Sequence, residues 1–195
     1  MRYSALSRLA ALPFFTTDDA AGILEIKKDS ARVFCSRWSK KGVLHRLKRD
    51  MYVSAASWEH FTAADFFRIA NYLQVPSYLS FLTALSYHGV TTQVPRQWCE
   101  SVSTKRSIQF AVGGREFHYH KFSTSFYFGF EKEGDFFIAQ KEKALIDACH
   151  LTALGRYAFD ESALDAERLD PKRIRELAAP FPLRTQNLVQ RICRI

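Results

Sequence analysis

The sequence predicts a two-domain α+β protein. An N-terminal winged helix-turn-helix domain (residues 1–56) precedes a mixed α+β domain (residues 57–195) with antiparallel hairpins and flanking helices. Three observations support this prediction. The stretch 14–53 has the order helix, turn, helix, hairpin. Its second half is strongly basic. Beyond residue 57, apolar residues recur first at helical and then at strand-like spacing. A length of 195 residues allows one large or two small cores.

The first two helices are predicted from their boundaries. A helix over Tyr3–Leu12 is stopped by Pro13. Thr17 is then expected to cap a short apolar helix, because its hydroxyl can accept a hydrogen bond from a free first-turn amide. Asp18 and Asp19 follow, and their negative charge is favourable at the positive end of a helix dipole.

The next helix is the candidate recognition helix. Asp29 is expected to cap it, and Gly42 follows it at the position where helices commonly end. Four residues recur at helical spacing and mark its buried face: Ala31, Phe34, Cys35 and Trp38. Two strand-like runs, Val43–Leu47 and Met51–Val53, then form a hairpin whose turn is basic, which is the wing of a winged helix.

Charge favours a nucleic-acid partner for this domain. Residues 27–49 hold nine basic side chains and one acid, a net of +8, which equals the formal charge of the whole chain. A basic helix face followed by a basic hairpin is typical of proteins that bind duplex DNA, although a basic winged domain that binds protein is the alternative. The predicted DNA-binding residues are Lys28, Ser30, Arg32, Val33, Ser36, Arg37, Lys40, Lys41, Arg46, Lys48 and Arg49.

Small residues at 54–57 are interpreted as the domain boundary. Beyond it, Thr62 and Asp65 form a capping-box pattern at the start of a helix that Pro76 closes. Ser77 is expected to cap the following helix, which Gly89 ends.

Two hairpins are predicted next. The first spans Ser107–Phe122 around Gly113-Gly114, with one apolar and one polar face. The second joins Phe126–Phe130 to Phe136–Ile138 around Glu133-Gly134.

The chain then returns to helices. One is predicted over 140–154, and another begins at Asp170-Pro171. The last covers 184–195, with Leu188, Ile192 and Ile195 along one side. Packing on the body is its expected role, and a partner surface is the alternative.

No catalytic residue, metal site or cofactor is predicted. Two H-x-T pairs begin at His60 and His150, but phosphoesterases need such pairs on facing strands. His118 and His120 share one strand face and lack an evident third metal ligand. His88 is expected to interact with free carbonyls at its helix end. The four cysteines have no metal spacing and are expected to be reduced, at least two in helix cores: Cys35, Cys99, Cys149 and Cys193.

Neither a signal peptide nor an apolar run of membrane-spanning length is visible in the sequence. We therefore expect a cytoplasmic protein with no membrane partner.

Three segments together resemble the antitoxins of the AbiE-type abortive-infection family, also called type IV toxin–antitoxin systems. They are the wing end 47–53, the S-F-L-T-A-L-S-Y-H-G-V run 80–90 and the I-A-Q-K-E-K-A-L-I-D run 138–147. The resemblance covers residues 15–154. Asp50 stands where the family's wing usually has glycine, which predicts a wing turn of different shape, and residues 155–195 match no signature.

The resemblance implies an autorepressor that binds an inverted repeat in its own promoter as double-stranded DNA. It also implies an antitoxin that counteracts a nucleotidyltransferase-like toxin, with or without direct contact. Repression belongs to the winged domain in that family, and neutralisation to the second domain. The alternatives are a nuclease or phosphoesterase with a winged-helix targeting domain, and a plain transcriptional regulator whose second domain senses a ligand or dimerises.

Overall fold

The computed structural model describes residues 2–195, with side chains from residue 6 onward. The chain is α+β and divides into two compact units. The first comprises Met1–Ile69 and Phe110–Glu116, and the second comprises Ala70–Gln109 and Phe117–Ile195. The α-helices of the described chain are α1 (Arg2–Ala10), α2 (Thr17–Leu24), α3 (Lys28–Lys40), α4 (Ala55–Trp58), α5 (Ala63–Leu73), α6 (Phe81–Tyr87), α7 (Lys141–Ala153), α8 (Pro171–Ala178) and α9 (Leu183–Cys193).

The strands are β1 (Phe15–Thr16), β2 (Leu44–Lys48), β3 (Met51–Ser54), β4 (Ser77–Leu79), β5 (Trp98–Ser103), β6 (Ile108–Val112), β7 (Arg115–Lys121), β8 (Phe130–Glu133) and β9 (Phe136–Ala139). They form a three-stranded sheet, in the order β1-β3-β2, and a six-stranded sheet, in the order β6-β7-β5-β4-β9-β8. In the larger sheet β4 pairs in parallel with β9 and antiparallel with β5.

The first unit has the winged-helix arrangement that the sequence predicts. Helices α1 to α3 pack with the small sheet around a core of buried apolar side chains. Strands β2 and β3 form the wing, and β1 pairs with the other edge of β3. The core residues are Leu9, Phe15, Ala20, Ala31, Cys35, Leu44 and Tyr52.

Two predicted caps were wrong by one or two residues. Thr16, not Thr17, is the N-cap of α2, and it forms a reciprocal capping box with Asp19. Thr17 is buried instead. Helix α3 begins before Asp29, with Lys27 at the N-cap and no side-chain cap, so Asp29 lies in the first turn. Gly42 ends this helix at a φ of 73°, as predicted.

The predicted linker at residues 54–57 is wrong, because Ser54 ends β3 and α4 starts at Ala55. The reason is Trp58, which is 4% exposed and packs in edge contact with Phe66. Its indole Nε1 donates to the Gly113 carbonyl at 3.0 Å. This packing places the end of the first unit at Ile69 rather than at the predicted residue 56 and brings residues 110–116 into it.

In the second unit, β4 and β5 differ from the prediction. Ser77 lies in β4 and does not cap a helix; α6 starts later, with Ser80 as its N-cap. Strand β5 was not predicted. The three-residue length of β4 is too short for a periodic pattern, so only its pairing with neighbouring strands reveals it.

The hairpins and the later helices largely follow the prediction. The turn at Gly113-Gly114 joins β6 to β7 as predicted, and both glycines have positive φ. The first strand of the second hairpin begins at Phe130, because Thr124–Phe126 form a 3₁₀ turn instead. Asp170 caps α8 through the amide of Lys172, as predicted.

Helix α9 is present, but its buried side chains are Thr185 and Val189. The predicted stripe of Leu188, Ile192 and Ile195 is only half-buried.

Gly113 and Gly114 offer a matched test of the contact with Trp58. Alanine at either position must adopt a left-handed backbone, which costs about 1–2 kcal/mol. A Cβ on Gly113 would lie 2.4 Å from the Trp58 Nε1 atom, whereas a Cβ on Gly114 meets nothing within 4 Å. We expect Gly113→Ala to lower the free energy of unfolding in urea by about 1–3 kcal/mol more than Gly114→Ala. Equal losses would show that backbone strain alone matters here.

Candidate nucleic-acid interface

The orientation of α3 is set by its buried residues. Ala31 and Cys35 are fully buried one turn apart, and Phe34 and Trp38 pack against the same core. Burial raises the pKa of the Cys35 thiol to about 11, so this thiol is protonated at neutral pH. Because one face is fixed in the core, the opposite face of α3 is presented to solvent.

The position of Trp38 differs from the prediction, which placed this residue on the buried face of the helix. Its indole is half-buried, stacks at a tilt on Phe34 with 5.5 Å between ring centroids, and has the Lys41 ammonium 5.8 Å from its centroid. Trp38 therefore covers the edge of the core.

The structure places the predicted DNA-binding residues on α3, on the residue after it, and on the wing. Ten of the eleven side chains are exposed, and Lys48 is half-buried. Val33 is apolar and yet 49% exposed on α3. The exposed residues are Lys28, Ser30, Arg32, Val33, Ser36, Arg37, Lys40, Lys41, Arg46 and Arg49.

The wing turn has an unusual backbone at Asp50, whose φ of 57° is in the left-handed region. Glycine adopts this conformation most easily, and aspartate is one of the few other residues that tolerate it. The register also shifts between Arg46 and Lys48, which leaves Leu47 as an extra residue in β2, buried at 3% exposure. The wing therefore keeps a glycine-like turn while carrying a carboxylate at its tip.

Carboxylates neutralise the basic surface unevenly. Lys28 pairs with Asp18 at 2.7 Å, and Arg32 pairs with Asp29 at 3.1 Å. In the part of the chain that the structure describes, Arg37 and Lys40 have no ion pair. Among the described residues, the cations of α3 without an ion pair therefore lie in its C-terminal half.

The exposed cations of α3 and of the wing belong to the same compact unit, and the Arg32 Nε atom lies 3.9 Å from the Asp50 carboxylate at the wing tip. Cations from α3 and the wing can neutralise backbone phosphates. The exposed helix face also carries Arg32, Ser36 and Val33, which offer donors and an apolar group to base edges. A helix with a flanking basic wing is a known geometry for reading the major groove.

The two H-x-T pairs are not brought together on facing strands. His60 follows α4 and is exposed, whereas His150 lies buried in α7. The His150 Nδ1 atom lies 3.1 Å from the Thr185 hydroxyl, so this imidazole joins α7 to α9. Burial and, to a smaller extent, the nearby Arg184 guanidinium lower the pKa of His150 to about 4.

His118 and His120 lie on β7 and are both half-buried. Among the described residues, no group of three or more His, Cys, Asp or Glu side chains could hold a metal ion. Burial lowers the pKa of His120 to about 4, with a smaller contribution from His118.

His88 bonds a different carbonyl from the one expected. Its Nε2 atom lies 2.8 Å from the Ala139 carbonyl oxygen of β9, not from a carbonyl of its own helix end. The four cysteines are free, and Cys35 and Cys149 lie buried in helices as predicted.

A buried polar cluster in the second unit was not identified from the sequence. Lys143 and Asp147 form a fully buried ion pair one turn apart on α7. The Asp147 Oδ2 atom also accepts hydrogen bonds from the Ser80 hydroxyl at 2.7 Å and from the Tyr78 hydroxyl at 3.0 Å. The spacing of four residues signals such a pair on a helix, but not its burial.

Aromatic rings surround the Lys143 ammonium. Burial lowers the pKa of Lys143 and raises that of Asp147, while their mutual attraction opposes both shifts. The rings partly replace the lost hydration through cation–π contacts. Their centroids lie 5.2–5.7 Å from Nζ, and they belong to Tyr78, Phe122, Phe128 and Phe181.

A second buried carboxyl, Glu100 on β5, is 4% exposed. It accepts a hydrogen bond from the Tyr157 hydroxyl at 3.0 Å. Burial raises its pKa to about 7, although hydrogen bonds from Tyr157 and from the Leu82 amide oppose the shift.

Comparisons with known proteins support the fold alone. Neither a protein-family model nor a curated protein matches the sequence. The crystal structure of the RV2827C protein from Mycobacterium tuberculosis is similar, with a TM-score of 0.61 over 97% of this chain and 74% of that one. Only 11% of the aligned residues are identical, so this similarity concerns the arrangement of helices and strands.

Within the described residues, no helix combines the length and the apolar character needed to cross a membrane.

The raised pKa of Glu100 predicts a pH dependence of stability. Between about 4.5 and 7 the carboxyl is protonated in the folded state and ionised in the unfolded state, so its contribution falls as pH rises. Glu100→Gln should remove this fall, which amounts to about 3 kcal/mol. We would measure urea unfolding across this range for both proteins.

His120 and His150 are present in both proteins, and their lowered pKa values make stability rise with pH in both. The difference between the two stability curves therefore reports Glu100 alone. Tyr157→Phe should steepen the fall, since the carboxylate loses a donor. Parallel curves for wild type and Glu100→Gln would contradict the assignment.

Proposed function

We propose that this chain is a DNA-binding transcriptional autorepressor and the antitoxin of a type IV toxin–antitoxin operon, counteracting a nucleotidyltransferase-like toxin. The observation that carries the DNA-binding part is the exposed basic surface of α3 and the wing. There, ten of eleven predicted contact residues reach solvent. Its proposed ligand is double-stranded DNA, in the form of an inverted repeat in its own promoter.

The division of roles follows from the ion pairs of α3. Arg37 and Lys40, which have no ion pair among the described residues, are the natural phosphate ligands. Arg32 lies nearer the N-terminal end of α3, where recognition helices contact base edges, and its guanidinium can bond guanine bidentately. Exposed Val33 is suited to contact a thymine methyl group.

The antitoxin part rests on the resemblance of three segments to the AbiE-type family. Contacts within the second unit support treating two of these segments as one motif. Ser80 of the first run bonds Asp147 of the second at 2.7 Å, and His88 bonds the Ala139 carbonyl at 2.8 Å. The runs 80–90 and 138–147, which are far apart in sequence, are thus joined by hydrogen bonds. We assign neutralisation of the toxin to this pair of segments, with or without direct contact.

Binding should depend strongly on salt. If about five cations of α3 and the wing neutralise phosphates, log K should fall against log salt with a slope of about −4 to −5. Arg37→Ala should reduce that slope by about one, because one phosphate contact is lost. Titration of a fluorescent duplex of the promoter region at several salt concentrations measures both.

Arg175→Ala is the matched control, because it removes an exposed cation from α8 in the second unit. It should leave affinity and slope unchanged. Salt-independent affinity, or equal effects of the two substitutions, would place binding elsewhere.

Repression and neutralisation should be separable. Arg32→Ala is expected to cost about 1–3 kcal/mol on the promoter site and to relax its sequence preference, because a bidentate base contact is lost. The variant should derepress a promoter reporter and still protect cells that express the cognate toxin. A folded variant that loses both activities would mean that DNA binding is itself the antidote.

A further inference from the structure

The carboxylate of Asp50 at the wing tip lies between two arginines of the proposed DNA-binding surface. Its Oδ1 atom is 3.9 Å from the Arg32 Nε atom, and its Oδ2 atom is 3.6 Å from the Arg49 Nε atom. Arg32 also pairs with Asp29 at 3.1 Å. The arginine best placed to read a base is therefore held by two carboxylates of the protein itself.

The turn does not require this carboxylate. Asp50 has a φ of 57°, a backbone conformation that glycine adopts without cost and that asparagine tolerates as well as aspartate. Either residue would preserve the turn and remove the negative charge. The charge at this position can therefore be separated from the demands of the backbone.

We propose that Asp50 is a specificity-determining residue, which competes with DNA for Arg32 and penalises duplexes that offer this arginine no base contact. This inference rests on the proposed DNA-binding function. It assigns Asp50 a role that works against binding, because selective interfaces also contain groups that repel the wrong partner.

The exposure of the three side chains suits such competition. Side-chain exposure is 47% for Arg32, 42% for Asp50 and 88% for Arg49, so their ion pairs are solvated and weak. A bidentate contact to the O6 and N7 atoms of guanine is stronger than such a pair and can displace it. A duplex without guanine in reach leaves Arg32 paired, and the carboxylate then repels nearby phosphates.

The test compares full-length wild type, Asp50→Asn and Asp50→Gly on a mixed-sequence duplex without any selected site. Both variants should bind it about fivefold more tightly near physiological salt, and their salt slope should be steeper by about one, because one more cation is free to neutralise a phosphate. Glu167→Gln, in the second unit, changes the net charge equally at an exposed carboxylate and should have neither effect.

A second measurement addresses sequence preference. Each protein selects from a pool of duplexes with a randomised centre, and bound DNA is sequenced. Wild type should enrich one guanine-containing motif more strongly than Asp50→Asn. In the Arg32→Ala background, Asp50→Asn should no longer change that enrichment, since the competing arginine is absent.

The outcomes separate the two proposals. If wild type binds no duplex, the proposed function fails. If wild type binds through Arg37 but Asp50→Asn leaves both the mixed-sequence affinity and the enrichment unchanged, only the role of Asp50 is overturned. A gain seen with Asp50→Gly and not with Asp50→Asn would also overturn it, because the effect would then come from the backbone.

Discussion

Burial of Ala31 and Cys35 one turn apart is the constraint on which the candidate interface depends. Two small side chains allow α3 to lie close to the core, and once they are buried the rotation of the helix about its axis is fixed. Arg32, Ser36 and Lys40 must then face solvent. The electrostatic surface is therefore a consequence of packing as much as of composition.

Acidic residues shape that surface as much as basic ones do. Asp18, Asp29 and Asp50 pair with cations of the N-terminal half of α3, while the C-terminal half has no ion pair among the described residues. Net charge governs long-range attraction to a polyanion, but the pairing of individual charges decides which side chains are available to bases and phosphates. Counting charges along the sequence describes the net charge and misses how individual charges are paired.

The second unit depends on polar groups inside its core. The Lys143–Asp147 pair is fully buried, and its remaining hydrogen-bonding capacity is used by Tyr78 and Ser80, far away in sequence. A buried ion pair is weak evidence for added stability, because desolvation offsets the attraction. Its demand for hydrogen-bond partners nevertheless fixes how α7 meets β4, since another arrangement would leave the buried Asp147 carboxylate without the hydrogen bonds from Tyr78 and Ser80.

Local sequence signals are sufficient to predict the winged helix-turn-helix, the exposed basic residues, the Gly113-Gly114 hairpin, a helix over 140–154 and a helix that begins at Asp170-Pro171. Each depends on a local signal: helical spacing, a glycine at positive φ, or an aspartate cap before proline. Tertiary contacts, by contrast, define the strands Ser77–Leu79 and Trp98–Ser103, the short helix at Ala55–Trp58, and the cluster around Lys143. Local signals act through hydrogen bonds and backbone preferences within a few residues. These other features arise from partners distant in sequence, such as Tyr78 opposite Val102 and Trp58 against Gly113, whose proximity no short-range pattern encodes.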